Sequence, residues 1–236
     1  MGGLFITGTD TDAGKTLVGA AIARIFADAG ETPGVMKPVA SGVETPPGHD
    51  AEWLMAGARV RHPHDLVCPY HFRAPLSPHL AARREGESIR PAGMLGAYSK
   101  LAAHYDPMIV EGAGGWYAPM ARGYFMAHLA QDLRLPVLIV AANRLGCVNH
   151  VLLTIESIRA LRLTAAGVIL NGGDPDDEAV RTNPETLMEM TDCPLVGVLP
   201  RLPQMACEET IARAAELLRA DVLAWWEDLR GDGGAA

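Results

Sequence analysis

Gly8-Thr9-Asp10-Thr11-Asp12-Ala13-Gly14-Lys15-Thr16 stands between an apolar run, Leu4–Thr7, and an amphipathic stretch, Thr16–Ala29. In that stretch Leu17, Ala21 and Ile25, with Val18, Ile22 and Phe26, recur at helical spacing, and Gly30 stops the pattern. A strand, a glycine loop and a helix in this order make a phosphate loop. Glycine lets backbone N–H groups turn inward onto a triphosphate, and the start of the helix adds its positive end. Lys15 would then reach the β- and γ-phosphates, while the Thr16 hydroxyl would hold Mg²⁺. The loop departs from the common spacing: five residues, not four, separate Gly8 from Gly14-Lys15-Thr16, and Thr9 takes the usual glycine place.

Outward from this loop, short apolar runs alternate with helical patterns. The runs are Leu4–Thr7, Gly34–Val39, Leu66–Tyr70, Met108–Glu111, Pro136–Ala141, Gly167–Leu170 and Leu195–Leu199; the helical stretches after the first are Ala51–Ala58, Ala92–His104, Val148–Leu161 and Thr210–Leu229. This order predicts a doubly wound α/β domain of the P-loop NTPase type, with a mainly parallel sheet of about seven strands. One domain over residues 1–236 is expected, with Gly231–Ala236 a frayed tail and Glu44–Gly48 and Gly172–Pro184 long loops. Ligands of such sheets bind at the carboxyl ends of the strands.

Composition narrows the classes. With 49% hydrophobic and 20% charged residues in 236, disorder and collagen-like structure are excluded. Net charge is −8 and the basic residues are scattered, so no nucleic-acid partner is expected. The longest uncharged apolar run, Leu135–Ala142, is far short of the roughly 20 residues that span a bilayer, and no membrane association is expected. The opening MGGLFITGTD lacks a basic segment and reads as a strand rather than a signal peptide. Cys68, Cys147, Cys193 and Cys207 show no CxxC pair, which fits a reducing, cytoplasmic setting.

Acidic residues at strand ends are the candidate metal ligands. Glu111 closes the run Met108–Glu111 and precedes a flexible glycine turn, Gly112-Ala113-Gly114-Gly115, the place for a Walker-B-type carboxylate. Asp50, at the start of a helix after Ser41, is a candidate metal ligand or an N-cap, and the two roles can coexist. Asp10 and Asp12 lie inside the loop as turn formers or substrate-side groups. Only Lys15, Lys37 and Lys100 are lysines among the twenty basic residues, and two of them follow the first two strands. Lys37 could face the phosphates or be a surface lysine at a strand end. The segment Leu145–Thr154 opens a helix near Gly146. Its first turn, with Asn149 and His150, either offers free N–H groups to a carboxylate or merely caps its own helix.

The ordered blocks TGTDTDAGKT (7–16), KPVASG (37–42), SPHLAA (77–82), VEGAGGW (110–116) and LGCVNHVLLT (145–154) resemble the dethiobiotin synthetase family. Together they reach most of the chain to about Asn171, and the extended loop GTDTxxGKT accounts for the odd glycine spacing. The resemblance implies ring closure of 7,8-diaminononanoate with CO2, using ATP as co-substrate and Mg²⁺ as cofactor. Dethiobiotin, ADP and phosphate would be the products, formed through a carbamate and a carbamic–phosphoric anhydride. It implies Lys37 and Lys15 as the catalytic lysines, and Thr16, Asp50 and Glu111 as metal ligands. ATP would be held by Asp12, Ala13, Gly14, Lys15, Thr16 and Leu17, with Asp50, Glu111, Gly112, Ala113 and Gly114. Asn171 and Gly172, with Pro200, Arg201 and Leu202, would line the base. Thr11 and Ser41 would meet the reacting amine or carbamate. Gly146, Cys147, Val148, Asn149 and His150 would reach the substrate tail from a neighbouring subunit of a homodimer.

Two other classes fit less well. ParA/MinD-like positioning ATPases carry a second lysine five residues before the main one, and here that position is Asp10. The amidotransferases of corrinoid synthesis need a glutaminase domain for which 236 residues leave no room.

Overall fold

Leu4, Phe5 and Ile6 alternate between two buried faces, Phe5 toward one apolar cluster and Leu4 and Ile6 toward the other. The computed structural model describes residues 2–232. In chain order its first half runs β1 (Gly3–Gly8), α1 (Lys15–Asp28), β2 (Gly34–Met36), β3 (Val39–Ser41), α2 (His49–Ala58), α3 (His64–Val67), β4 (Tyr70–Phe72), α4 (Pro78–Arg84) and α5 (Pro91–Ala102). It continues with β5 (Met108–Gly115), β6 (Pro119–Ala121), β7 (Tyr124–Phe125), α6 (Met126–Leu133), β8 (Val137–Ala142), α7 (Cys147–Ala160), β9 (Ala165–Asn171), α8 (Glu178–Met190), β10 (Leu195–Leu199) and α9 (Cys207–Asp232).

The central sheet is parallel, in the order β10-β9-β8-β1-β5-β2. Both of its faces are covered, α1 and α9 carrying one apolar cluster and α5, α6 and α7 the other. β1 lies between β5 and β8, where successive crossovers switch sides. The loop after β1 therefore opens into the crevice that such a switch creates.

The central sheet has six strands, not the expected seven, because Leu66–Tyr70 is not one of them. Its residues divide between α3 and β4, and β4 pairs only with β3, outside the sheet. A short apolar run does not by itself separate a buried strand from a buried helical turn. The run Gly34–Val39 also divides. β2 pairs with β5 as far as Met36, and Pro38, which has no N–H for a ladder, carries the chain out of the sheet into β3.

Two further expectations are corrected. The residues after Glu111 are not a free turn: β5 runs on to Gly115, which pairs with Gly8 after a register shift. Gly172–Pro184 is not all loop, since α8 begins at Glu178, capped by the Asp177 side chain accepting from the Ala179 N–H at 2.9 Å, and Pro184 lies inside it. The missing N–H of Pro184 leaves the Val180 carbonyl, four residues back, without its helical donor. Asn143 Nδ2 supplies one, at 3.1 Å. The helix therefore tolerates its proline because a side chain from outside satisfies the orphan. At the other end of the chain α9 includes residues 231 and 232, and the rest of the expected tail lies outside the described residues.

Candidate active site

Gly14 turns the chain from loop into helix at φ +92°, and Lys15 and Thr16 open α1. A side chain at position 14 would be strained by that backbone, and its Cβ would lie 1.9 Å from Asn171 Nδ2. That nitrogen donates to the Ala13 carbonyl at 3.0 Å, so the end of β9 supports the phosphate loop. Lys15 is 6% exposed, and its Nζ reaches back across the loop to the Asp10 carbonyl at 3.0 Å.

Beside it is a buried charge cluster. Glu111, 0% exposed on β5, accepts from the Thr16 hydroxyl at 2.9 Å and from Lys37 Nζ at 2.5 Å. Lys37 is 3% exposed, just past the end of β2, and also pairs with Asp50 Oδ2 at 2.7 Å. Asp50 is not the N-cap of α2. That place belongs to Gly48, and Asp50 sits inside the first turn with its carboxylate turned onto Lys37. Lys37 is no surface lysine either, since leaving the sheet after Met36 swings it under the loop.

Opposed forces set the charges. Burial alone would lower the Lys37 pKa, but Glu111 and then Asp50 outweigh it and hold the value above that of an ordinary lysine. Burial would raise Asp50, and Lys37 holds it below the ordinary carboxylate range. Lys15, buried and next to the charge of Lys37, is lowered.

These groups face one cleft of about 460 Å³, which also takes in Thr11, Asp12, Leu17 and Gly114. His49, Trp53 and Thr210 line it as well, and sequence reading had not singled them out. His49 and Trp53, one helical turn apart on α2 with rings 5.1 Å apart, flank Asp50, a spacing that could have marked them. Thr210 arrives on α9 with no local signal. Ser41 is half-buried at the end of β3 and is not among the cleft residues, and Ala113 is buried. The Gly112 carbonyl faces Lys37 Nζ at 3.4 Å. Gly172 donates to the Leu199 carbonyl at 2.8 Å, which sets Pro200, Arg201 and Leu202 beside the Asn171 turn rather than in the cleft.

A second cavity, about 280 Å³, separates the loop from the start of α7. Thr11, Asp12, Cys147 and His150 line it, as does Arg144, which pairs with Asp10 at 3.7 Å. Gly146 is the αL N-cap of α7 at φ +90°, with Asn149 and His150 exposed in the first turn. A larger cavity, about 670 Å³ along β10 and α9, is remote from this chemistry.

The cluster fits a magnesium ion. The hydroxyl of Thr16 and the carboxylates of Asp50 and Glu111 are hard oxygen donors, and Glu111 Oε2 is buried with no hydrogen-bond partner among the described residues. No group of three or more His, Cys, Asp or Glu that could hold a metal occurs among those residues. That agrees with magnesium's habit of using one or two carboxylates plus substrate phosphates.

A phosphate loop on the central strand, answered by a carboxylate from the adjacent strand, defines a P-loop enzyme that uses a nucleoside triphosphate. The profile of the AAA domain family matches residues 2–209. Among solved structures, the septum site-determining protein MinD of Pyrococcus horikoshii, complexed with Mg-ADP, superposes with a TM-score of 0.59 at 15% identity, over 93% of each chain. A chain of the MinC:MinD cell division protein complex of Aquifex aeolicus matches at 0.55 and 15%, covering 98% of this chain and 96% of that one. At such identities the likeness is one of fold.

Relatives in sequence are more particular. The ATP-dependent dethiobiotin synthetase BioD of Bacillus subtilis is 34% identical over 94% of this chain and 97% of its own. That of Aromatoleum aromaticum is 42% identical over 84% and 90%, and that of Ralstonia nicotianae 41% over 85% and 89%. The chain belongs to the dethiobiotin synthetase family. No helix among the described residues is long and apolar enough to cross a membrane.

Proposed function

We propose that this chain, an ATP-dependent ligase by family, closes 7,8-diaminononanoate and CO2 into the cyclic urea dethiobiotin. The observation that carries the reading is the pair of buried lysines, Lys15 and Lys37, in one cleft at the end of the phosphate loop.

One amine adds to CO2 and loses a proton, giving a carbamate. A carbamate oxygen then attacks the γ-phosphorus as the bond to the β–γ bridging oxygen breaks and ADP leaves. The second amine adds to the carbonyl carbon of the resulting anhydride, phosphate departs with the C–O bonding pair, and the proton lost from the amine passes to that phosphate. Each intermediate on this path is anionic. Lys37 and Lys15 hold fixed positive charge where negative charge develops, in a site whose dipoles need not reorganise. Thr16, Asp50 and Glu111 would hold magnesium, which would neutralise charge on the transferring phosphoryl group. Thr11 and Ser41 contact the reacting amine or carbamate, and Asn171 with residues 200–202 receives the base.

The substrate carboxylate lies at the N-terminus of α7, where free N–H groups and the helix dipole favour an anion. A two-fold dimer in which α7 serves the neighbouring subunit is supported by apolar residues exposed around it, Leu145 at 83%, Leu153 at 62% and Tyr117 at 52%. A site within one chain is the second reading, favoured by the cavity that Thr11 shares with Cys147 and His150. ATP turnover measured with and without the diamine and bicarbonate tests the reaction. Dependence on both is expected, and turnover indifferent to the diamine would overturn it.

A further inference from the structure

Pro184 gives α8 a carbonyl without a donor, and the answer to that defect ties the helix to the start of α7. Asn143 follows β8, is 2% exposed, and donates from Nδ2 to the Val180 carbonyl at 3.1 Å. Its Oδ1 accepts in return from Nδ2 of Asn183, 6% exposed, at 2.8 Å. The same Asn183 nitrogen reaches the Arg144 carbonyl at 3.2 Å. The Asn143 backbone N–H meanwhile donates to the Asn171 carbonyl at 2.9 Å, which extends the β8–β9 ladder by one more bond. Two buried amides thus bond α8 reciprocally to the turn Asn143–Gly146, and Gly146 is the N-cap of α7.

We infer that Asn183, acting with Asn143 and Pro184, is a positioning residue that presents the first turn of α7 to the carboxylate end of the substrate. The inference deepens the reading under Proposed function and rests on it for the ligand. Three features argue for positioning over plain packing. A polar pair is a costly way to fill a buried space, because each amide must be matched to avoid a desolvation penalty. The Arg144 carbonyl it grips belongs to the residue whose guanidinium lines the cavity beside Thr11 and His150. And the gripped carbonyl on α8 is free only because position 184 is proline, so a helix-weakening residue is retained where the clamp needs it.

Asn183→Leu keeps the shape and removes both donors. It should raise the KM for the diamine about tenfold, the scale of one or two lost hydrogen bonds, with kcat and the KM for ATP within about twofold. Pro184→Ala is the sharper variant. It restores an N–H at position 184 to donate to the Val180 carbonyl, lets that carbonyl swing back toward the helix axis, and should leave thermal stability equal or higher while the diamine KM rises. Amide hydrogen exchange over residues 144–148 should accelerate in both variants. An unchanged diamine KM in a wild-type enzyme that requires the diamine would overturn the inference, as would a uniform loss of kcat. If the wild type shows no diamine dependence, the substrate reading has failed instead. The clamp is then judged by exchange alone, and unaltered protection of 144–148 in both variants refutes it.

Discussion

Lys37 Nζ lies 2.5 Å from Glu111 Oε1, and neither side chain is open to solvent. A buried ammonium and a buried carboxylate each cost several kcal/mol to desolvate, and their contact offsets that only while both remain. Lys37→Gln should therefore lower kcat far more than it weakens binding of a non-hydrolysable ATP analogue. It should also destabilise the fold by about 3–5 kcal/mol, because Glu111 is left unpaired at its closest contact. Adding Glu111→Gln should restore part of that stability and none of the activity. Urea unfolding and calorimetric titration read the two effects, and a double variant no more stable than the single one contradicts the pairing.

Lys15 is buried as well, but among the described residues its Nζ donates only to a backbone carbonyl, that of Asp10. Lys15→Ala strands no carboxylate at hydrogen-bond distance. Turnover should fall by about 10²–10³-fold, the usual scale for deleting a preorganised charge contact, while the melting temperature stays close to wild type. Turnover within a few-fold of wild type would remove Lys15 from the phosphate site.

Whether α7 serves its own cleft or a neighbour's is open to a mixing experiment. Gly146 is a poor place to mutate, because at φ +90° any side chain strains the turn. Asn149 is exposed in the first turn, and a glutamate there is compatible with the helix dipole. Asn149→Glu should repel the substrate carboxylate and raise the diamine KM. Mixed with Lys15→Ala subunits, it should regain activity, since one site of each heterodimer then carries both lesions and the other neither. No recovery after verified subunit exchange assigns the carboxylate site to a single chain.

His62 is 3% exposed, its ring 4.2 Å from that of Tyr105, and neither ring nitrogen has a hydrogen-bond partner among the described residues. Burial lowers its pKa below the ordinary 6.5. The unfolded chain therefore takes up the proton first as pH falls, and stability, full above about pH 6.5, declines below it until the native value is reached. The loss is at most about 1.4 kcal/mol per pH unit for one proton. His62→Phe keeps a ring against Tyr105 and should flatten the difference between denaturation midpoints at pH 7.5 and 5.5. Equal slopes in both proteins would show that His62 does not contribute.

What the amino-acid order determined by itself is the part governed by neighbours in the chain. The phosphate loop, the helix after it and the six strands of the central sheet follow from glycine placement and from apolar periodicity, which act over a few residues. That Lys15, Thr16, Lys37 and Glu111 gather in one cleft was legible because strand ends and loops mark where ligands go in such a sheet. Tertiary structure alone decided what those residues do to one another. Thr16 meets Glu111 across 95 positions and Lys37 meets it across 74, and no local pattern encodes a distance. Asp50 reads equally well as a cap or a ligand until α2 packs and turns its carboxylate onto Lys37. Leu66–Tyr70 was apolar enough for a strand, but it divides between the helical turn α3 and the strand β4, which pairs with β3 outside the central sheet. Gly172–Pro184 read as a long loop because the cost of its glycines and prolines is local, while the Asn143 side chain that offsets Pro184 comes from the end of another strand. Periodicity reports which faces are buried, and only the packed chain settles which polar groups find partners there.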